Sequence, residues 1–382
     1  MPPFQDTPSK RAIAFGRQEW NGAFGDLGTD LPLLAGMILT AKLDAASVLI
    51  LFGVMQILTG LLYRIPMPVQ PLKAMATLVI SQHLSGNILF GGGIAIGLTM
   101  GILAFSGALN LLAKWIALPV VRGLQLGLAL QLGLLALKDY AARDGLTGYA
   151  LAFVAFLLIL LLQRRAYPAA LFALGLGVLY AIFVSPDSAR LTLDALTPSL
   201  SLPKPYAPTL DDIAQGFLLL ALPQIALSIG NSILATARAA QDLFPDAALN
   251  VRRIGLSYAA MNLFAPLFSG VPVCHGVGGL AGHYAFGART AGSVIIYGGF
   301  YVLLGLFFSA SFEALLHAFP MPLLGVMLLF EAVALSRVAL ALDREHDLGI
   351  TALTALIVLG LPYGFLVGLL LGSLAYYALK KS

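Results

Sequence analysis

The chain has 382 residues, of which 59% are hydrophobic and 10% charged, against about 25% charged in an average soluble domain. With a mean hydropathy of +0.91 it lacks the polar material for a soluble shell, so a soluble domain of useful size is excluded and a lipid bilayer is its expected surrounding. The net charge of +4 does not point to nucleic acid, since the positive-inside rule accounts for it, and the single cysteine, Cys274, excludes an intramolecular disulfide and any cysteine-based metal cluster.

Residues 1–19 have neither the continuous apolar core nor the cleavage site of a signal peptide and read as a short cytoplasmic lead. A spanning helix needs about 20 mostly apolar residues. Seven candidates lie near 20–41, 45–63, 68–85, 88–114, 118–138, 146–163 and 167–185. The first carries Gly25-Asp26-Leu27-Gly28-Thr29-Asp30. Ionisable groups inside a membrane are costly and default to functional hypotheses, so Asp26 and Asp30 are candidate proton-coupling groups. The structural alternative is that one of them caps a helix broken at Gly25, Gly28 and Thr29, or pairs with Lys73.

The third span opens Ile65-Pro66-Met67-Pro68-Val69-Gln70-Pro71-Leu72-Lys73. Proline fixes φ and lacks a donor, so three in six residues prevent a helix before Pro71. A half-helix starting at Pro71 would present free N–H groups and a positive dipole end. In lipid those groups must face protein, water or a ligand. Gln70, Pro71 and Lys73 are therefore candidate substrate-binding residues. Lys73 could equally neutralise Asp26 or snorkel to an interface.

Residues 186–210, rich in Pro, Ser and Asp, read as an external connector between two halves. Seven further spans follow near 211–236, 251–269, 274–286, 289–312, 320–340, 347–361 and 362–379. In the eighth, Gln224 and Asn231 offer amide donors suited to an oxyanion, with helix–helix hydrogen bonding as the alternative. The tenth opens Val271-Pro272-Val273-Cys274-His275-Gly276-Val277-Gly278-Gly279. Its glycines let a ligand approach the backbone closely, which makes Cys274, His275, Gly276 and Gly278 candidate contacts. The plainer reading is two kinked, packed helices. His275 has no partner at metal-ligand spacing, so neither metal nor cofactor is expected. Glu331, in the twelfth span, reads as a structural charge partnered by Arg337.

Residues 53–66 align without gaps to 259–272, pairing Gln56 with Asn262 and Pro66 with Pro272. Seven spans per copy would invert the second copy, and such repeats place substrate near the midplane between discontinuous helices. With the N-terminus inside, sixteen Lys and Arg fall in cytoplasmic segments and five outside. That bias supports an even number of spans and cytoplasmic termini. The residues thus predict an all-α polytopic membrane protein, a single transporter domain of fourteen spans in a 7+7 inverted repeat (20–185 and 211–379), binding a small tetrahedral oxyanion.

The stretches GAFGDLGTDLPL (22–33), PMPVQPLKAMA (66–76), LPQIALSIGNSILATA (222–237) and VCHGVGGLAGHYAFGART (273–290) resemble the molybdate transporters related to the sulfate permease group. The resemblance implies core spans 1–4 and 8–11 moving against gate spans 5–7 and 12–14, and secondary uptake of molybdate, with tungstate or sulfate as lesser substrates. It also implies a bacterial inner membrane and allows a homodimer. The soluble regulatory domain that usually follows the last span in that group has no counterpart before Ser382. Asp30 stands where the family pattern has an apolar or aromatic residue. A carrier of the same fold for nucleobases or another anion, or a passive anion channel, is the alternative. No motif for catalysis is present, so an enzyme is not expected.

Overall fold

The computed structural model describes residues 12–163, 169–184, 197–247, 249–342 and 345–380. Most of the expected lead, the first half of the connector, and Lys10, Arg11, Arg164, Arg165, Arg190, Arg344 and Lys381 of the charge count lie outside them. Within them every expected span contains helix. The first half holds α1 (Arg17–Ala23), α2 (Leu27–Ala41), α3 (Ala45–Tyr63), α4 (Lys73–Gln82), α5 (Gly86–Ser106), α6 (Ala108–Trp115), α7 (Leu118–Tyr140), α8 (Gly145–Gln163) and α9 (Ala169–Val184). The second holds α10 (Leu210–Leu243), α11 (Val251–Phe264), α12 (Val277–Ala285), α13 (Gly292–Ala318), α14 (Met321–Leu340), α15 (Glu345–Gly360) and α16 (Gly364–Lys380). Two two-residue strands, β1 (Gln70–Pro71) and β2 (Val273–Cys274), precede α4 and α12.

Local chemistry sets several starts. Asp44 caps α3 by accepting from the Ser47 N–H, Asn250 caps α11 through Arg253, and Thr209 with Asp212 forms a capping box on α10. Among the described residues, seven helices are long and apolar enough to cross a membrane by length and composition: α3, α5, α7, α8, α10, α13 and α14. Their outward faces carry large apolar side chains such as Ile102, Phe105 and Phe153. In water such a surface would be untenable; in a bilayer it needs no partner. The protein is an integral membrane protein.

The helices form two groups. In one, α3 lies along α13, and α5 lies along both α11 and α10. These contacts are close because glycines line them: Gly53 meets the backbone of Gly298, and Gly97 meets Leu263 and Asn262. In the other, α7 packs on α14, α15 and α16, and α8 on α14 and α9. Between the groups α14 touches α2, and α10 touches α7 and α16.

Several boundaries differ from expectation. The first span is split between α1 and α2 at Phe24–Asp26. The fourth is split at Gly107, whose φ of +76° is open to glycine without strain. Pro71 does not begin a helix: Leu72 is extended, its N–H donates to the Pro272 carbonyl (3.1 Å), and α4 starts at Lys73. Strand pairing outweighs proline's preference for a first helical turn. The eighth span continues to Leu243 and contains two π-helical stretches, Phe217–Ala221 and Ser228–Ala235. Such π turns often occur at functional sites, and these flank Gln224 and include Asn231.

Candidate anion site between two broken helices

The proline-rich stretches before α4 and α12 would leave backbone groups unpaired inside the membrane. They satisfy each other. β1 and β2 pair antiparallel, with Gln70 opposite Cys274 and Pro71 opposite Val273. Each stretch is also held by an amide side chain from the helix before it. Gln56 donates to the Val69 carbonyl (2.7 Å) and accepts from the Val69 N–H (3.1 Å). Asn262 does the same to Val273, at 2.7 and 2.9 Å. Both amides are fully buried, so these bonds form away from water, where leaving one unmade is expensive.

A small cavity opens beside this ladder. It is lined by Gln70, Lys73, Gln125, Leu128, Gln224, Leu227, Asn231, Ser232, Cys274 and Leu335, and its free volume is about 20 Å³. That is roughly what one water molecule needs, less than a five-atom oxyanion occupies. Five of the predicted site residues therefore meet in one place: Gln70, Lys73, Gln224, Asn231 and Cys274. Gly278 borders them, its Cβ position lying 3.9 Å from Lys73 Nζ.

Their partners are not all those expected. The Gln224 side-chain oxygen accepts from the N–H groups of Ala74 (3.1 Å) and Met75 (3.4 Å), so it occupies the N-terminal end of α4. Its amide nitrogen donates to Ser228 (3.2 Å). Asn231 accepts from Gln125 (3.1 Å), which in turn accepts from Arg122 (3.1 Å). Gln70 donates to Asp26 (2.6 Å), and its own oxygen has no partner among the described residues. A Cβ on Gly276 would overlap that oxygen, so Gln70 could not keep its place, and a Cβ on Gly279 would strike Asp26 and Pro68. The N–H groups of Val277, Gly278 and Gly279, at the start of α12, find no partner outside that helix among the described residues.

Lys73 is buried and pairs with Glu331 of α14, neither with Asp26 nor at an interface. The second oxygen of Glu331 accepts from Thr29 (2.9 Å). Glu331 thus belongs to the site, and not to the structural pair with Arg337 read from sequence. Its signal was present as a lone carboxylate in an apolar span. Gln125 and Ser232 carried no comparable mark.

Three predicted residues face elsewhere. His275 is a clamp: Nδ1 donates to the Pro68 carbonyl (3.1 Å), Nε2 meets the Ser257 hydroxyl (2.7 Å), and its carbonyl accepts from Thr236 (2.9 Å). Asp30 accepts from Tyr297 of α13 (3.1 Å). Gly25 packs against the backbone of Gly282, closing the α1–α2 break onto α12. Gly28 and Thr29 lie in the first turn of α2, and Pro68 lies in the extended stretch. Among the described residues no group of three or more metal-ligating side chains occurs.

The fold is shared with solved membrane transporters. The murine Solute Carrier 26 family member A9 anion transporter in the inward-facing state matches with a TM-score of 0.71 at 13% identity, over 98% of this chain and 70% of that one. The transmembrane domain of the cyanobacterium bicarbonate transporter BicA matches at 0.65 and 15% identity, over 95% and 98%. In another structure of SLC26A9 this chain spans 64% of the length. The sequence narrows the class. The family described as "Molybdate transporter of MFS superfamily" matches residues 18–132 and 216–335, which include all four motifs quoted above. Molybdate transporter 2 of Arabidopsis thaliana is 35% identical over 86% of this chain and 80% of its own. Molybdate transporter 1 of the same plant is 30% identical, over 94% and 88%. The chain belongs to the molybdate transporter family, whose members are transporters and not enzymes.

Proposed function

We propose that this protein is a secondary active transporter that imports molybdate by alternating access, binding the dianion between the N-termini of α4 and α12. The observation that carries the reading is the buried cavity where Lys73 meets amide and hydroxyl donors beside the open first turn of α12. A cation with several preorganised donors, away from water, is what a compact dianion requires. Membership of the molybdate family selects the anion, with tungstate and sulfate as chemically similar competitors.

The architecture is read as fourteen spans in a 7+7 inverted repeat, with both termini cytoplasmic, in a bacterial inner membrane. The matching clasps made by Gln56 and Asn262 support the repeat, because residues aligned in the two halves do the same work on corresponding stretches. The two helix groups support a division into a core (α1–α6 and α10–α13) and a gate (α7–α9 and α14–α16). Asp26 is the proposed coupling group: it is buried beside the site, and its Oδ2 has no hydrogen-bond partner among the described residues. Asp30, turned to Tyr297, is assigned a lesser part in the same coupling.

The test is uptake of labelled molybdate into proteoliposomes, with competitors in excess. Saturable uptake blocked by tungstate and not by uracil is expected. Uptake that does not saturate would favour a channel, and competition by uracil alone would overturn the oxyanion.

A further inference from the structure

An anion site with nothing in it poses an electrostatic problem. Lys73 is buried between α4 and α14, and an unpaired buried charge is strongly destabilising. A carrier that cycles must pass through its closed form empty on the return journey. If the substrate were the only counter-charge to Lys73, that return would bury a naked ammonium.

The structure holds a solution. Glu331, projecting from α14, pairs with Lys73, and Thr29 of α2 holds its other oxygen at 2.9 Å. The other carboxylates nearby are engaged differently: Asp26 with Gln70 and Asp30 with Tyr297. Among the described residues only Glu331 lies within ion-pair reach of Lys73. The cavity beside Lys73 has about the space of one water molecule. An oxyanion seated against Lys73 therefore competes with Glu331 for the same ammonium. Two anions around one ammonium would leave negative charge uncompensated.

We infer that Glu331 is an internal stand-in for the transported oxyanion: it neutralises Lys73 while the carrier is empty, ties α14 to α4 and α2 in that state, and is displaced when the anion binds. This rests on the oxyanion reading above and adds to it a residue that competes with substrate. It makes two processes separable. Exchange of one bound anion for another never needs the empty return, whereas net uptake does.

The experiment compares the wild type with Glu331→Gln, which keeps size and hydrogen bonding and removes the charge. Molybdate binding to purified protein is measured by calorimetry, and both net uptake and molybdate–molybdate exchange are followed in proteoliposomes. Binding is expected to tighten about tenfold, the scale of one charge-assisted contact no longer to be displaced. Exchange should persist while net uptake falls at least about tenfold, since the empty return now buries an unpaired cation. Binding that is unchanged or weaker, or exchange and net uptake lost together, would overturn the inference. Thr29→Val, which loosens Glu331 without removing it, should shift binding in the same direction by about threefold. It decides the matter if Glu331→Gln does not fold, and unchanged or weaker binding there would overturn it too. No molybdate binding by the folded wild type would bring down the oxyanion reading, and this inference with it. Wild-type binding with an indifferent Glu331→Gln removes this inference alone.

Discussion

The N-termini of α4 and α12 come from corresponding places in the two halves. Each follows a proline-led extended stretch, and they are joined through β1 and β2. Their donors nevertheless have different fates. At α4 the Gln224 carbonyl takes two backbone N–H groups, and the Lys73 side chain is matched by Glu331. At α12, Gln70 and Asp26 crowd the Cβ positions of Gly276 and Gly279, whereas Gly278 between them stays open toward Lys73. One end is already occupied by the protein's own acceptors, and the other is kept clear. Two similarly built broken ends can thus share a frame while the chemistry within it is divided, with the cation on one side and bare backbone donors on the other.

The sharpest way to break this comparison is to fill the clear end. Gly276→Ala puts a methyl where the Gln70 oxygen lies, and overpacking of this kind costs about 1–3 kcal/mol. Gln70 would have to leave Asp26, so molybdate uptake should be abolished while the protein still assembles in detergent. Normal uptake would mean that the α12 end does not touch the substrate. At the other end, Lys73→Met removes the cation and leaves Glu331 buried without a partner. Molybdate affinity should fall about a hundredfold, the upper range for a charge-assisted contact, and thermal stability should fall with it. Affinity within a factor of two or three of wild type would place the anion elsewhere.

Gln224→Glu sharpens the contrast further. A carboxylate at the start of α4 is favoured by the helix dipole, by about 0.3–1 kcal/mol, yet it repels an oxyanion in the neighbouring cavity. Burial of the new charge opposes that gain, so stability should change little while affinity drops about tenfold, a split that calorimetry and thermal unfolding can register on one sample. Both falling together would show that Gln224 matters only as packing.

Sequence reasoning reached the frame of this site better than its wiring. The proline runs at 66–71 and the glycines at 276–279 announce broken helices because φ restriction and Cβ clashes are local properties. The pairing of Gln56 with Asn262 was legible from the ungapped alignment, and the structure gives both the same clasp. Partner choice was not legible. Lys73 and Glu331 are 258 positions apart, and only the packing of α14 against α2, which brings Glu331 to the start of α4, decides that Lys73 meets Glu331 before Asp26. His275 misled for a related reason: its neighbours in sequence are ligand-like glycines, whereas its ring faces Pro68 and Ser257 across the fold. Position along the chain marks where a helix must break. It does not say which distant side chain fills the gap.

The smallest effect is expected away from the broken ends, at an ordinary capped helix. Asp44 accepts from the Ser47 N–H (2.8 Å) and hydroxyl (2.7 Å) and pairs with Lys204 (2.5 Å) in the turn before α3. Partial burial opposes its ionisation, but the bonds from Lys204 and Ser47 outweigh that and hold the carboxyl below its usual 3.8. A lowered folded-state value stabilises above the unfolded value, and the benefit is lost as pH falls through the folded one. Asp44→Ala should therefore cost about 1 kcal/mol at neutral pH, the usual loss for an N-cap. The gap from wild type should close as the pH drops below the ordinary carboxylate range. Molybdate affinity should not change, because this cap stabilises a helix without serving as a stand-in for the anion. A change in affinity here would mean that helix stability alone moves binding, and the distinction drawn between the α4 and α12 ends would lose its support.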